Sequence, residues 1–321
     1  MMQCLKRSAE AWVSLWDRRE DPRSLALVRI SMGLVVLSDW LGMWTRGLVV
    51  TLFAPMEAGG MGNPTAISKH APLWLYELLP PEYAAGLVFG GGLLCIVCVT
   101  VGLFGRLAAF GWVLISAQFA LALSPADRGI DMLMRNVFLI LAFSSSHRVW
   151  SVDAWRKTGT YRGDGSFVPA WPRYVLIAQL VILYFTAGVQ KVSTAWTPLG
   201  GWSALYYAMR DPAMAMGEMP WLDSVYPLTQ ILTAGTWFWE WLAPLLLIAV
   251  YFRETSRRPG RARAWFNRVN FRTWYLVIGA LFHIGTALTL QLGVFPWAVL
   301  SLYPALYHPS ELTRGKPDPD K

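Results

Sequence analysis

The sequence predicts an all-α polytopic membrane protein with about eight transmembrane helices, preceded by an amphipathic helix that lies in the membrane interface. Hydrophobic residues make up 55% of the 321 residues and charged residues only 15%, which is far from the average soluble domain. Apolar windows of about 20 residues, the length that spans a bilayer, recur along the chain. The 18 tryptophans suit a protein that anchors side chains at two membrane interfaces.

Eight spans follow from these windows. Their approximate bounds are 25–45, 83–104, 107–124, 130–147, 173–192, 228–252, 272–291 and 293–308. The last two are separated only by Gln291-Leu292-Gly293. They therefore form either a tight hairpin or one long bent helix.

The chain divides into an interfacial amphipathic segment (1–24), a single transmembrane domain (25–308) and a polar C-terminal tail (309–321). In the first segment apolar residues recur at helical spacing: Leu5, Ala9, Trp12, Leu15 and Trp16. Basic residues accompany them, a pattern typical of a helix lying on a membrane surface. No short apolar core with a small-residue cleavage site precedes the spans, so we do not expect a signal peptide.

The distribution of positive charge predicts the orientation. Most of the 28 lysines and arginines lie before the first span, after the fourth, between 253 and 272, or after the last. All these segments fall on the cytoplasmic side if both termini are inside, as positively charged loops prefer. We interpret the net charge of +8 as the excess of basic residues that sets the orientation in the membrane. We expect the lipid bilayer as a partner. With no basic-aromatic groove or nucleic-acid motif, we expect no nucleic acid.

One lysine stands out chemically. Lys191 ends the span 173–192, has no acidic residue within ten positions on either side, and is followed by a Trp/Gly/Tyr-rich segment. A lysine at the edge of hydrocarbon is paired, reaches the interface with its amine, or is present as the neutral amine. The sequence leaves all three open. The last is of interest because a neutral amine is a base.

Other ionisable residues inside the spans are candidates by the same argument. Glu240 has no basic residue in its own span, so it is either a neutral acid or the partner of a basic group on another helix. His283 lies mid-helix, either hydrogen-bonded to a neighbour or functional. Asp131 and Arg135 have the i, i+4 spacing that allows direct pairing, and we expect that pair. One hypothesis places these four residues and Lys191 in a single polar cavity.

Two more charges, Arg29 and Asp39, lie in the first span. Ten residues of helix separate them by about 15 Å in height and roughly 80° in azimuth. We therefore do not expect them to pair with each other. The three cysteines are too few for a disulfide framework, and the dispersed histidines predict no metal site.

Several segments together carry a family resemblance. They are Tyr184-Phe-Thr-Ala-Gly-Val-Gln-Lys191 with Trp196, Gly201 and Tyr206-Tyr207, then Trp150-Ser-Val-Asp153, Phe282-His283 through Leu292-Gly-Val-Phe-Pro-Trp297, and Gly102-Leu-Phe-Gly-Arg106. On these residues the chain resembles HTTM proteins, the membrane-domain family that contains the vitamin K-dependent γ-glutamyl carboxylase. It is most similar to the bacterial branch, which implies a multi-pass protein of the bacterial inner membrane.

The resemblance implies roles for particular residues. Lys191 would be the general base that deprotonates reduced vitamin K or menaquinol, His283 matches a histidine retained in the family, and Glu240 takes the place of an acidic residue. These three are the candidate catalytic residues. The candidate cofactor-binding residues are Tyr184, Trp196, Tyr206, Tyr207, Asp131 and Arg135.

The functional hypothesis is therefore a carboxylase-like lyase that acts on a quinol-type or lipid-like substrate, or on a peptide. Gly129-Ile130 stands where the carboxylase has an asparagine-histidine pair, which is one departure from its pattern. The carboxylase recruits its protein substrate largely through an extramembrane portion after the spans, whereas only about a dozen polar residues follow Pro309 here, so we do not expect processive carboxylation of a peptide. Two alternatives stay open. One is a non-catalytic membrane maturation or immunity factor of a peptide-toxin system, and the other is a small-molecule transporter.

Overall fold

A computed structural model of the chain describes residues 13, 16–62, 75 and 78–312. These residues are mostly helical, with one short antiparallel pairing between β1 (Arg19–Glu20) and β2 (Val168–Pro169). The α-helices are α1 (Arg23–Thr45), α2 (Leu48–Phe53), α3 (Pro81–Val101), α4 (Gly105–Ala122), α5 (Gly129–Phe143), α6 (Val152–Thr158), α7 (Trp171–Gln190), α8 (Ala204–Arg210), α9 (Tyr226–Trp241), α10 (Ala243–Glu254), α11 (Arg261–Arg268), α12 (Phe271–Thr289), α13 (Phe295–Leu300) and α14 (Pro309–Leu312). The predicted amphipathic segment and polar tail lie mostly outside the described residues.

Five of these helices, α1, α3, α4, α7 and α12, are long and apolar enough to cross a membrane, and the bent pair α9–α10 adds a sixth if it is one span. These helices confirm the expectation of a helical integral membrane protein with five to six candidate spans. The two remaining predicted spans correspond to shorter elements, because α5 has 15 residues and the apolar stretch Phe295–Leu306 is also shorter than a full span. The count of eight stays a prediction.

The helix predicted over 228–252 is broken. The axes of α9 and α10 meet at an angle of 54°, and Pro244 lies in the first turn of α10. Proline has no N–H to donate to the carbonyl four residues earlier, which here belongs to Glu240, so the helix cannot continue straight. The break leaves Glu240 in the last turn of α9.

The last two predicted spans are also separate. α12 ends at Thr289 and Leu290 is extended, with φ −125° and ψ 146°. Gly293 then adopts a left-handed conformation with φ 56°, which glycine tolerates without strain. Of the two alternatives, one long bent helix is therefore excluded, and α13 contacts α12.

The chain forms two compact units. The first contains Met1–Leu176 and Tyr307–Lys321, and the second contains Ile177–Leu306; the helix α7 contributes to both. In the first unit α3 packs against α1 and α4, and α4 packs against α5. An aromatic cluster fills the space between them, with the Trp40 ring 4.4 Å from Phe89, 5.8 Å from Trp112 and 5.7 Å from Phe119.

A buried arginine organises one end of the first unit. Arg29, only 1% exposed, donates from Nη1 to the carbonyls of Val99 and Thr100 at 2.7 Å each and from Nη2 to the carbonyl of Trp150 at 2.6 Å. The last carbonyls of a helix have no partner within it. A cation placed there satisfies them and interacts favourably with the helix dipole. Arg29 therefore ties the end of α3 to the segment before α6.

The turn next to Arg29 contains two of the segments that carry the family resemblance, 102–106 and 150–153. Gly102 has φ 71°, and a Cβ there would lie 2.8 Å from Arg29 Nη1. The carboxylate of Asp153 accepts hydrogen bonds from the backbone N–H groups of Phe104 and Gly105, both at 3.1 Å, at the start of α4. The segments 102–106 and 150–153 thus fold together around Arg29, and the role the structure shows for them is architectural.

His147, which lies beside this turn in the short 3₁₀ helix Ser146–Arg148 after α5, makes stability depend on pH. Burial, and secondarily the charge of Arg106, lowers the pKa of His147 from 6.5 to about 4. Between these values the unfolded chain binds a proton that the folded protein excludes. We expect the stability to be complete above pH 6.5 and to fall by about 2 kcal/mol as the pH drops to 4, after a discount for partial exposure.

Thermal unfolding in detergent between pH 4 and 8 measures this loss. His147→Gln cannot titrate and should flatten the profile over that window. An unchanged slope in the variant would assign the acid sensitivity to other groups.

Candidate functional site

Lys191 and Glu240 form an ion pair in the second unit. Lys191 follows the last residue of α7, and its Nζ lies 2.7 Å from Glu240 Oε1 and 2.6 Å from Oε2. The Lys191 side chain is 18% exposed and that of Glu240 only 5%. Among the possibilities that the sequence leaves open, the structure shows pairing for both residues, across two helices.

A glycine on α7 allows Lys191 and Glu240 to come this close. An added Cβ at Gly188 would lie 3.0 Å from the Glu240 Cβ and 3.3 Å from Trp241 Cδ1, so α7 and α9 come this close only because position 188 has no side chain. On the other side, Lys191 Nζ lies 4.9 Å from the ring centre of Trp196, a cation–π distance. The ammonium thus lies between a carboxylate and an indole ring.

A second set of polar residues in this unit is linked by a chain of buried hydrogen bonds. Tyr184 Oη lies 2.9 Å from His283 Nε2 and 2.9 Å from Tyr303 Oη. Tyr184 is on α7, His283 on α12, and Tyr303 in the 3₁₀ turn Tyr303–Leu306. His283 Nδ1 is buried and has no hydrogen-bond partner among the described residues. It is therefore a polar atom available to a ligand or a proton.

Trp239 connects the two groups. It precedes Glu240 in the chain, and its ring lies 4.5 Å from Tyr184 and stacks at 5.0 Å on Tyr275. Its Nε1 donates to the Tyr275 carbonyl at 3.1 Å, and Tyr275 Oη donates back to the Trp239 carbonyl at 3.2 Å. These reciprocal bonds fix the last turn of α9 against α12, and with it the position of Glu240.

Sequence reasoning missed Trp239, Tyr275 and Tyr303. Tyr275, Gly279 and His283 recur every four residues, so they share one face of α12, and this spacing was a usable signal. A Cβ at Gly279 would lie 2.6 Å from Trp239 Cζ2 and closer still to the Tyr303 hydroxyl. No sequence pattern indicates Tyr303, because only the tertiary fold brings it next to Tyr184.

A cavity of about 750 Å³ opens between α9 and α12 in the second unit. Its walls are mainly apolar and include Leu232, Trp239, Tyr275, Ile278, Phe282 and Thr286. Lys191, Glu240 and His283 do not line it. Trp239 and Tyr275 belong both to the cavity wall and to the surroundings of Tyr184, so one layer of aromatic rings separates the apolar space from the polar groups.

Tyr206 and Tyr207 on α8 have other neighbours. Tyr206 Oη donates to Asp223 at 2.6 Å, a hydrogen bond that raises the pKa of this phenol. Arg210 also binds Asp223, at 2.5 Å. Tyr207 is 62% exposed. In the described part of the chain, neither tyrosine contacts Lys191.

Asp131 and Arg135 belong to the first unit and do not pair with each other. Asp131 accepts from Arg128 at 2.8 Å and Arg135 binds Asp127 at 2.6 Å. The expected Asp131–Arg135 pair is wrong because Asp131, in the first turn of α5, caps that helix and accepts the backbone N–H of Arg128 at 2.9 Å. Both residues line a cavity of about 260 Å³ in this unit.

Asp39 also lines that cavity, and it pairs with Arg128 at 2.5 Å. Arg29 and Asp39 therefore have different partners, as expected from their separation along α1. The hypothesis of one cavity that collects Asp131 and Arg135 with Lys191, Glu240 and His283 stays a prediction.

Removing the central hydroxyl of the buried chain should destabilise the second unit. We expect Tyr184→Phe to lower the free energy of unfolding by about 1–2 kcal/mol, because His283 Nε2 and the Tyr303 hydroxyl both lose a partner. The matched control is Tyr207→Phe, which removes a hydroxyl from an exposed ring. Equal thermal midpoints for the two variants in detergent would contradict a contribution from this chain.

Apolar helices of membrane-spanning length, together with a buried lysine–glutamate pair and a buried phenol–imidazole chain, define an integral membrane protein that holds polar groups within an apolar unit. The chain belongs to the HTTM domain family, whose model matches residues 17–255, so the resemblance to HTTM proteins is confirmed. The matched range contains Lys191 and Glu240 and ends before His283. No solved structure matches this chain.

Proposed function

We propose that this protein is a carboxylase-like membrane enzyme in which Lys191 is the general base for a quinol-type or lipid-like substrate. The observation that carries the proposal is the contact of Lys191 Nζ with both carboxylate oxygens of Glu240, at 2.7 and 2.6 Å. Buried ionisable groups held close together in a membrane protein are characteristic of proton-transfer sites.

Glu240 can accept the proton that Lys191 must lose before it can act as a base. To act as a base, Lys191 must first lose a proton, and the nearest acceptor is the carboxylate at 2.6 Å. Transfer along this hydrogen bond converts the ion pair into a neutral amine and a neutral acid, and a low-dielectric environment favours that uncharged state. The amine then takes a proton from a substrate hydroxyl and becomes an ammonium, and Glu240 gives its proton to water, which restores the ion pair.

The residues present fit reduced vitamin K or menaquinol. The cavity of about 750 Å³ has the apolar walls that an isoprenoid chain requires. When bound, such a quinol supplies an acidic hydroxyl. Trp196 holds the amine of Lys191 in place, and the buried chain of Tyr184 and His283 offers hydrogen bonds to a polar head group. Trp239 and Tyr275 lie between this cavity and the polar groups, so the head group reaches Lys191 only if these rings move aside.

The family resemblance implies that the deprotonated quinol reacts with oxygen, so the test is quinol-dependent oxygen consumption by the purified protein in lipid nanodiscs, with bound menaquinol measured in parallel. We expect Lys191→Ala to lower turnover by at least about 100-fold, the usual contribution of a general base, while menaquinol binding persists. Lys157→Ala, at an exposed lysine, is the matched control. Full turnover in Lys191→Ala would overturn the assigned base, and absence of menaquinol binding in the wild type would overturn the substrate class.

We also propose the finer topology. Adding α5 and the stretch Phe295–Leu306 to the six candidate spans yields eight crossings of a single domain over residues 25–308. The basic residues then support cytoplasmic termini in a bacterial inner membrane. With this orientation Lys191 lies towards the outer side.

A further inference from the structure

The connection between α10 and α12 contains an unusual helix. α10 ends at Glu254 and α12 begins at Phe271, and because both belong to candidate spans, the residues between them lie at one surface of the membrane. α11 occupies this connection. It has eight residues and none of them is buried.

One face of α11 is packed against the end of α10. Asn267 Nδ2 donates to the Phe252 carbonyl at 3.0 Å, and the rings of Phe252 and Phe266 lie 5.5 Å apart. Arg263 Nε donates to Thr255 Oγ1 at 3.1 Å. These three residues, Arg263, Phe266 and Asn267, lie on one side of the helix and determine which side faces outward.

The outward side combines apolar and basic groups. Trp265 is 56% exposed and Val269, just after the helix, is 37% exposed, and the two lie one turn apart on the same face. Arg258, Arg261 and Arg268 are also exposed. No carboxylate of the described residues forms an ion pair with these three arginines.

We propose that α11 lies in the membrane interface and binds anionic phospholipid, with Trp265 and Val269 inserted at the acyl boundary and Arg258, Arg261 and Arg268 on the headgroup phosphates. Tryptophan prefers this depth of the bilayer, and guanidinium groups bind phosphate with two parallel hydrogen bonds. A basic amphipathic helix at a membrane surface combines both contributions. An acidic protein or a nucleic acid would engage the arginines and leave Trp265 outside the acyl region.

Lipid binding to the full-length protein in detergent tests the basic half of the proposal. Native mass spectrometry measures the occupancy of phosphatidylglycerol and of phosphatidylcholine in separate titrations. Each arginine near an anionic surface contributes about fivefold, so we expect Arg258→Gln/Arg261→Gln/Arg268→Gln to reduce the preference for phosphatidylglycerol by about 100-fold. The matched control, Arg46→Gln/Lys157→Gln/Arg162→Gln, removes the same charge from other exposed positions. An equal loss in both variants would overturn the site, because net charge alone would then explain the effect.

Quenching by brominated lipid tests the apolar half. In nanodiscs of phosphatidylglycerol brominated on the acyl chains, the difference in quenched fluorescence between the wild type and Trp265→Phe reports on Trp265. We expect a measurable quenched component that Trp265→Phe removes. Its absence, with phosphatidylglycerol binding intact, would overturn the interfacial placement, because Trp265 would then lie outside the acyl region. The turnover of the proposed enzyme does not enter either measurement, so this proposal stands or fails independently of it.

Discussion

Replacing Glu240 by glutamine should destabilise the protein by about 3 kcal/mol, one of the two largest effects expected here. The change leaves the Lys191 ammonium, whose side chain is 18% exposed, without its counter-charge. Loss of one partner of a buried ion pair typically lowers stability by about 3–5 kcal/mol, and partial exposure places this case at the lower end. Thermal and denaturant unfolding in detergent measure the loss.

A double-mutant cycle separates the pair from its surroundings. Lys191→Met preserves the length of the side chain, and combining it with Glu240→Gln removes both charges. We expect the double variant to recover most of the loss, with a coupling energy of about 2 kcal/mol. The control cycle uses Arg210 and Asp223, whose side chains are 53% and 62% exposed and should couple by less than about 1 kcal/mol. Strict additivity of Lys191→Met and Glu240→Gln would mean that the two charges do not interact.

Arg29→Met is the second change with a large expected effect, a loss of about 3 kcal/mol or more. The side chain is 1% exposed and satisfies three carbonyls on two separate segments. Hydrogen bonds to a charged donor contribute about 1.5–3 kcal/mol each, although the Val99 carbonyl keeps the Gly102 N–H as a donor at 3.0 Å. Loss of the tie between α3 and the segment before α6 should lower the thermal midpoint clearly.

Arg29→Lys distinguishes charge from geometry. A lysine carries the same charge on a single compact group, which lacks the planar fork of the guanidinium. We expect it to restore less than half of the stability lost in Arg29→Met. Arg162→Met, at an exposed position, is the control and should change stability by less than about 0.5 kcal/mol. If Arg29→Lys unfolds at the wild-type midpoint, the simultaneous contact with three carbonyls is not what stabilises this turn.

Isolated charged residues in apolar segments of the sequence predicted much of the candidate site. Lys191, Glu240 and His283 were identified because ionisable groups are rare in hydrocarbon, a rule that needs no knowledge of the fold. The partners of these groups were not identifiable in the same way. Lys191 and Glu240 are 49 residues apart, and Tyr184 and His283 are 99 apart, so only helix packing determines which groups meet.

The sequence spacing predicted the wrong ion pair where several donors compete for one carboxylate. The spacing of Asp131 and Arg135 allows a direct pair, but the N-terminus of α5 and the nearby Arg128 take the Asp131 carboxylate. Arg135 turns instead to Asp127, eight residues earlier. The spacing identified possible partners, and the choice among them depended on groups outside the helix.

By itself the sequence determined that this protein is helical and embedded in a membrane, because an apolar segment of about 20 residues spans the bilayer as a helix, which satisfies its backbone hydrogen bonds within the segment. It also determined that Lys191 and Glu240 are exceptional residues. Only the tertiary structure decided that they bind each other, that Tyr303 joins Tyr184 and His283, and that Pro244 places Glu240 at a helix break. The physical reason is that a buried polar group takes whichever partner the packing of distant helices brings within hydrogen-bond range.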